Sequence, residues 1–116
     1  MTTHNSGDDQ LDRVFHALSD RTRRALIGRL AAGPSIVTEL AAPFDMSLPA
    51  VSKHLKVLEA ARLVDRAVEG RIHRCSLTAE PLHQAELWLD CYRSFWDDTL
   101  GALARYVERD NKRRQS

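Results

Sequence analysis

Two cysteines are all that this 116-residue chain contains. Cys75 and Cys91 form no Cys-x-x-Cys pair and are too few for a disulfide framework. No apolar run approaches the length of about 18 residues that a membrane-spanning helix needs. The opening stretch from Met1 to Gln10 is polar and acidic. It has neither the basic start nor the apolar core of a signal peptide, which predicts a cytoplasmic protein with no membrane partner. A Gly-rich phosphate loop and a nucleophile motif are both missing, and their absence argues against an enzyme. There is no internal repeat.

What remains is an ordinary globular balance, 43% apolar and 28% charged. A chain of this length makes one domain. Residues 1–9 read as a disordered tail, residues 10–109 as the folded domain and residues 110–116 as a second tail. The net charge of +1 hides a division. Residues 1–20 carry four acids and one base, a net of −3. Residues 21–74 hold ten Lys and Arg against five Asp and Glu, a net of +5. Residues 75–116 hold six bases and seven acids, a net of −1. A basic middle is what a polyanionic partner needs.

Helical periodicity opens with Leu11, Val14, Phe15 and Leu18, spaced i, i+3, i+4, i+7. Ser19-Asp20 supplies capping oxygens for a second helix from Arg21 to about Ala32, and Gly33-Pro34 ends it. A short third helix carries Ile36, Val37, Leu40 and Ala41, with Ser35 as its expected cap. Phe44-Asp45-Met46 makes a tight turn. Ser47 caps a fourth helix with Pro49 in its first turn. Leu48, Val51, Leu55 and Leu58 form its core-facing stripe. The period then changes from 3.6 to 2. Leu63–Glu69 and Arg71–Leu77 read as two strands of a hairpin joined at Glu69-Gly70. Thr78 is the expected cap of a long last helix, whose apolar positions run from Ala85 to Val107.

The predicted order is α-α-α-α-β-β-α, mainly helical with a small β-hairpin. The short helix, turn and fourth helix make a helix-turn-helix, and the hairpin directly after it makes a wing. The runs SDRTRRALIGRL, VTEL and PAVSKHLKVLEAARLVDRAVEGRIHRCSLT resemble the ArsR family of small bacterial winged-helix repressors. The resemblance covers about residues 11–108. It implies a transcriptional regulator that binds double-stranded DNA as a homodimer paired through its first and last helices.

The residues support that expectation independently. The fourth helix offers Ser47, Pro49, Ala50 and Ser52 on its first turns, small enough to let the helix approach base edges. Lys53 and Lys56 can neutralise phosphates, and His54 can donate to one. Arg71 at the hairpin tip can enter a minor groove. The last helix is too apolar for a monomer of this size. Trp88, Tyr92, Phe95, Trp96, Leu100 and Leu103, with Leu11, Val14 and Phe15 of the first helix, are the expected dimer interface. A two-fold dimer presents two recognition helices to successive major grooves, so the site should be an inverted repeat. A winged helix that contacts only proteins is the competing reading. Its exposed helix face would be acidic or apolar, and here it carries Lys53, Lys56 and Arg71.

Metal-sensing relatives resemble one another in a cysteine cluster on the first helix of the helix-turn-helix, or in an Asp/His set on the last helix. Residues 37–42 contain neither Cys nor His, and the last helix offers His83 alone. No metal or cofactor is therefore expected. Cys75 alternates inward with His73 and Leu77 and reads as core. The remaining sources of a signal are a small molecule between the terminal helices, a thiol, or the amount of protein made.

Overall fold

The computed structural model describes residues 6–115. Its order is α1 (Ser6–Leu18), α2 (Arg21–Ala31), β1 (Ser35–Ile36), α3 (Val37–Ala41), α4 (Leu48–Ala60), β2 (Val64–Glu69), β3 (Ile72–Leu77) and α5 (Glu80–Gln115). The chain divides after Ala85 into two compact units. Among the described residues, no helix is long and apolar enough to cross a membrane.

The first unit packs α1, α2 and α4 around a core of Leu26, Leu30, Val51, Leu55, Leu58 and Leu63, each at most 2% exposed. Burying a side chain of this size contributes about 1.5–3 kcal/mol. Leu40 of α3 closes one end of this core, and Cys75 of β3 enters it from the sheet. The sheet is antiparallel with strand order β1-β3-β2. In the hairpin Val64 pairs with Leu77 and Glu69 with Ile72, leaving Gly70 and Arg71 as a two-residue loop. Gly70 sits at φ +63°, and a glycine at the first loop position is what a tight hairpin turn of this length favours.

Several boundaries differ from the sequence expectation. Ser35 caps no helix. Ser35 and Ile36 pair with Cys75 and Arg74 as a third strand, and the cap position of α3 falls on Ile36, which has no side-chain cap bond. Thr78 lies before α5, and its backbone N–H closes onto Leu63 O at 2.8 Å. Helix α1 begins at Ser6, inside the expected tail, and residues 1–5 lie outside the described residues. At the other end α5 runs to Gln115 through Lys112, Arg113 and Arg114.

The second unit is α5 from Glu86 onward. Trp88, Leu89, Tyr92, Phe95, Trp96, Leu100, Leu103, Tyr106 and Val107 are all exposed. At 100° per residue they fall within an arc of about 140°, a single wide apolar face. Trp88 and Tyr92 stack at a tilt with ring centroids 4.8 Å apart, and Phe95 meets Trp96 edge-on at 6.1 Å.

Helix α4 ends in a Schellman-type closure. The N–H of Leu63 donates to Leu58 O, and the N–H of Arg62 donates to Glu59 O, both at 2.9 Å. Leu58 and Leu63 are both fully buried, which supplies the apolar contact of that motif. The left-handed position is occupied by Arg62 at φ +60°, where glycine is the usual residue. A side chain there costs about 1–2 kcal/mol, while glycine adds about 0.5–1 kcal/mol of unfolded-state freedom. Arg62→Gly should therefore raise stability by about 0.5–1 kcal/mol, and Arg62→Val should lower it. Urea unfolding checks both signs. A glycine variant no more stable than the parent would contradict the assigned strain.

Candidate nucleic-acid interface

Ser47 stops the preceding turn in extended backbone, and its Oγ accepts from the N–H of Ala50 at 3.3 Å. That bond satisfies one of the free donors at the start of α4, and Pro49 in the first turn needs none. Val51, Leu55 and Leu58 turn this helix onto the core with no exposed surface. At 100° per residue, Pro49, Lys53 and Lys56 then lie directly opposite the core. Both lysines are exposed and make no ion pair among the described residues. Ser52 and Ala50 flank this face and are half-buried.

The wing lies alongside. A cleft of about 530 Å³ is lined by Leu48, Pro49 and Ser52 of α4, by Ile36, Val37 and Thr38, and by four wing residues including Arg71 and Ile72. The fold thus brings Pro49, Ser52 and Arg71 to one place. Leu48, expected in the core stripe, is instead 47% exposed on the wall of this cleft. Its position on the first turn overhangs the sheet rather than the helical core.

His54 lies to one side of the Lys53 and Lys56 face. Its ring stands at the edge of the core side of α4, half-buried. His54 Nδ1 is 3.3 Å from Nη1 of Arg23 and 3.7 Å from the Asp20 carboxylate. A guanidinium only donates, so Nδ1 accepts and the ring proton of the neutral histidine sits on Nε2. Arg23 itself is buried, at 9% exposure. Its Nε donates to Ala17 O at 2.8 Å and its Nη2 to His16 O at 3.0 Å. Arg24 donates to Leu18 O at 2.7 Å, and Ser19 Oγ to His16 O at 2.6 Å. The SDRTRR run therefore satisfies the free carbonyls at the end of α1. The net +5 of the middle segment overstates the basic face, because Arg23 is buried in this joint; Arg66, paired with Glu59 at 2.6 Å, adds nothing to it.

Of the residues expected at a dimer interface, Trp88, Tyr92, Phe95, Trp96, Leu100 and Leu103 are exposed on α5. Val14 is not available: it is 1% exposed and belongs to the core. Leu11 and Phe15 are half-buried and packed against that core. Periodicity gave all three the same stripe, and α1 uses that stripe to pack on its own unit.

Both cysteines are free. Cys75 is fully buried. Burial pushes its thiol up, against the pull of the Arg66 charge, so it carries little thiolate. Among the described residues no group of three or more His, Cys, Asp or Glu side chains stands ready to hold a metal ion.

Asp20 caps α2, its carboxylate accepting from the N–H of Arg23 at 3.0 Å. That bond holds its carboxyl below the usual carboxylate range, against the opposing effect of burial and with help from the His54 and Arg23 charges. A depressed folded pKa gives stability that is complete above the ordinary value of about 4 and is lost as pH falls through the lowered one. Asp20→Asn keeps a capping oxygen but cannot titrate. Its stability deficit should shrink as the pH drops below about 4 in urea unfolding. A deficit that stays constant across that range would rule out the ionised cap.

The sequence matches the helix-turn-helix domain family over residues 18–67. The HTH-type transcriptional regulator Rv2034 of Mycobacterium tuberculosis is 44% identical over 110 residues, spanning 93% of this chain and 94% of its own. The transcriptional repressor SdpR of Bacillus subtilis is 30% identical over 79 residues, spanning 68% and 88%. A crystal structure of an ArsR family transcriptional regulator shares 40% identity at a TM-score of 0.74, covering 84% of this chain and 97% of that one. A solution structure of a homodimeric winged helix-turn-helix DNA-binding domain from Mycobacterium bovis shares 26% identity at a TM-score of 0.59, covering 86% and 94%. These are regulators and not enzymes. With the winged helix-turn-helix in place and the likeness spanning nearly the whole chain, this protein belongs to the ArsR family of HTH-type transcriptional regulators.

Proposed function

We propose that this chain is a homodimeric repressor that binds an inverted repeat in duplex DNA and works in the cytoplasm. The observation that carries the DNA reading is the pair of unpaired cations Lys53 and Lys56 opposite the core on α4, with Arg71 across the cleft from Pro49 and Ser52. In this reading α4 enters the major groove, with Pro49, Ala50 and Ser52 against base edges and the free N–H groups behind Ser47 facing a phosphate. Lys53 and Lys56 sit on phosphates, and Arg71 reaches the adjacent minor groove. His54 Nε2–H, with Nδ1 turned to Arg23, is a further phosphate donor at the edge of this face. A repressor occludes by occupancy alone and needs no further chemistry. SdpR, a relative at 30% identity, is a repressor.

The homodimer rests on the apolar face of α5. Trp88, Tyr92, Phe95, Trp96, Leu100 and Leu103 form a continuous exposed surface of the kind that marks a contact with another protein. A two-fold axis covers that surface with its own copy. The Mycobacterium bovis domain, at 26% identity, is homodimeric.

Lys53→Ala and Lys56→Ala should each weaken binding to any duplex and flatten the plot of log affinity against log salt by about one unit. Fluorescence anisotropy over a salt series measures both. Full affinity of both variants at low salt would sink the docking of α4. Separately, Trp96→Glu places a charge in the proposed interface, at a cost of several kcal/mol unless the interface opens. Sedimentation at micromolar protein should show monomer. A fully dimeric Trp96→Glu chain would move the interface off α5.

A further inference from the structure

The cleft between the first turn of α4 and the wing has walls that a DNA-binding surface does not need. Five of its ten lining residues are aliphatic: Ile36, Val37, Leu48, Pro49 and Ile72. Leu48 and Ile72 are 47% and 50% exposed, so they leave apolar surface uncovered beside a helix whose outer face is cationic. A base edge can meet Pro49, but the phosphates of a duplex are anionic and hydrated and offer Ile36, Val37, Leu48 and Ile72 no counterpart. The volume of about 530 Å³ lies within the range of small-molecule sites.

The fixed charges of the cleft are all positive. None of its ten lining residues is acidic; Arg66 and Arg71 supply its charge, and Thr38, Ser52 and His73 its other polar groups. Arg71 makes no ion pair among the described residues. Arg66 is tied to Glu59 through Nε at 2.6 Å, and its Nη1 stands 3.4 Å from His73 Nδ1. Its Nη2 is buried without a hydrogen-bond partner among the described residues. A buried unpaired donor on a cation is unfavourable and seeks an acceptor. Apolar walls with one free guanidinium, that of Arg71, and a second, Arg66, already tied to Glu59 suit a single negative charge on an apolar body. A dianion would face more apolar wall than cation, and a cation would face two arginines.

We propose that this cleft is an effector site, and that it takes a small apolar monocarboxylate whose binding excludes DNA. The inference rests on the reading of α4 and the wing as the DNA-facing surface. The occupant lies against Pro49, Ser52 and Arg71, the same residues that the duplex needs. Its carboxylate neutralises Arg71 and sets a negative charge where a phosphate would come. Ligand and operator then compete for one surface, and derepression needs no movement of the terminal helix.

The probe is 2-naphthoate, with 2-naphthamide as its uncharged twin, added to the full chain carrying 13C-labelled methyl groups. Naphthoate should shift the methyl signals of Ile36, Val37, Leu48 and Ile72 at about millimolar concentration or below. Naphthamide should bind at least about tenfold more weakly. At ten times its own Kd, naphthoate should raise the apparent Kd for operator DNA by about tenfold. Thr38→Trp fills the cleft from an exposed position, so it should fold normally by circular dichroism and lose the naphthoate response. Four results would overturn the proposal: shifts confined to α5 or absent, equal binding of the two probes, naphthoate bound without loss of DNA affinity, or an undiminished response in folded Thr38→Trp. Failure of the DNA reading is separable. A ligand-free chain that binds no duplex removes the competition, whereas the methyl shifts judge the cleft by themselves.

Discussion

The guanidinium of Arg23 joins three elements whose mutual placement decides everything else in the first unit. It donates to two carbonyls at the end of α1, and it faces His54 on the recognition helix. Its own backbone N–H closes the Asp20 cap that starts α2. A buried cation is tolerable only when its donors are used, and here Nε, Nη1 and Nη2 each have a partner. Lysine could not replace it, since a single ammonium cannot reach two carbonyls on one side and an imidazole on the other. The angle at which α4 leaves the core is thus set by hydrogen bonds as well as by Val51, Leu55 and Leu58. Leucines alone would allow the helix to slide, because apolar contact carries no direction. The directed bonds remove that freedom.

This joint also shows where sequence reading reaches its limit. Caps are local, so Asp20 and Ser47 were legible from their own neighbourhoods, and both make the expected bond to an N–H three residues on. The hairpin was legible for the same reason, since alternation broken at a glycine is a short-range signal, though the loop is Gly70-Arg71 and not the expected Glu69-Gly70. Strand β1 was not. Two residues have no period, and Ser35-Ile36 becomes a strand only because β3 offers it a partner. The contact between Arg23 and His54 was not legible because charge composition records a side chain's type and not its direction. The acids Asp8 and Asp9 looked like tail, yet they occupy the first turn of α1, where the helix dipole favours them. Lys112, Arg113 and Arg114 stand in the matching place at the end of α5. Polar composition marks a disordered tail only when its charges have no helix end to serve.

The charges of the middle segment divide into two classes with different consequences. Arg23, Arg24 and Arg66 are committed to carbonyls, to a histidine and to Glu59. Lys53, Lys56 and Arg71 have no such commitment among the described residues and are exposed, as are Arg21, Arg62 and Arg74. Only the second class releases counterions when a polyanion arrives, so only it enters the salt dependence of binding. A count of ten bases overstates the basic footprint, since Arg23, Arg24 and Arg66 are engaged elsewhere, and Lys53, Lys56 and Arg71 are the free cations that stand on α4 and the wing tip. Specific recognition is served by withdrawing cations from the surface, because every nonspecific cation strengthens binding to competing sequences equally.

The apolar face of α5 adds a further constraint. Its aromatic and leucine side chains are nearly all more than two-fifths exposed on the single chain, far more than a soluble surface normally leaves uncovered in one stretch. In the proposed dimer their burial is a bimolecular event, so its free energy depends on protein concentration. Each chain carries one recognition helix and one wing, and a single such unit binds DNA weakly at physiological salt. Affinity for an inverted repeat therefore rises with the fraction of chains paired through α5, steeply around the dimerisation constant. An effector bound in the cleft acts on a different equilibrium, blocking the surface without touching the pairing. Two controls then operate on one operator: the amount of protein sets how many dimers exist, and the cleft sets how many of them can dock.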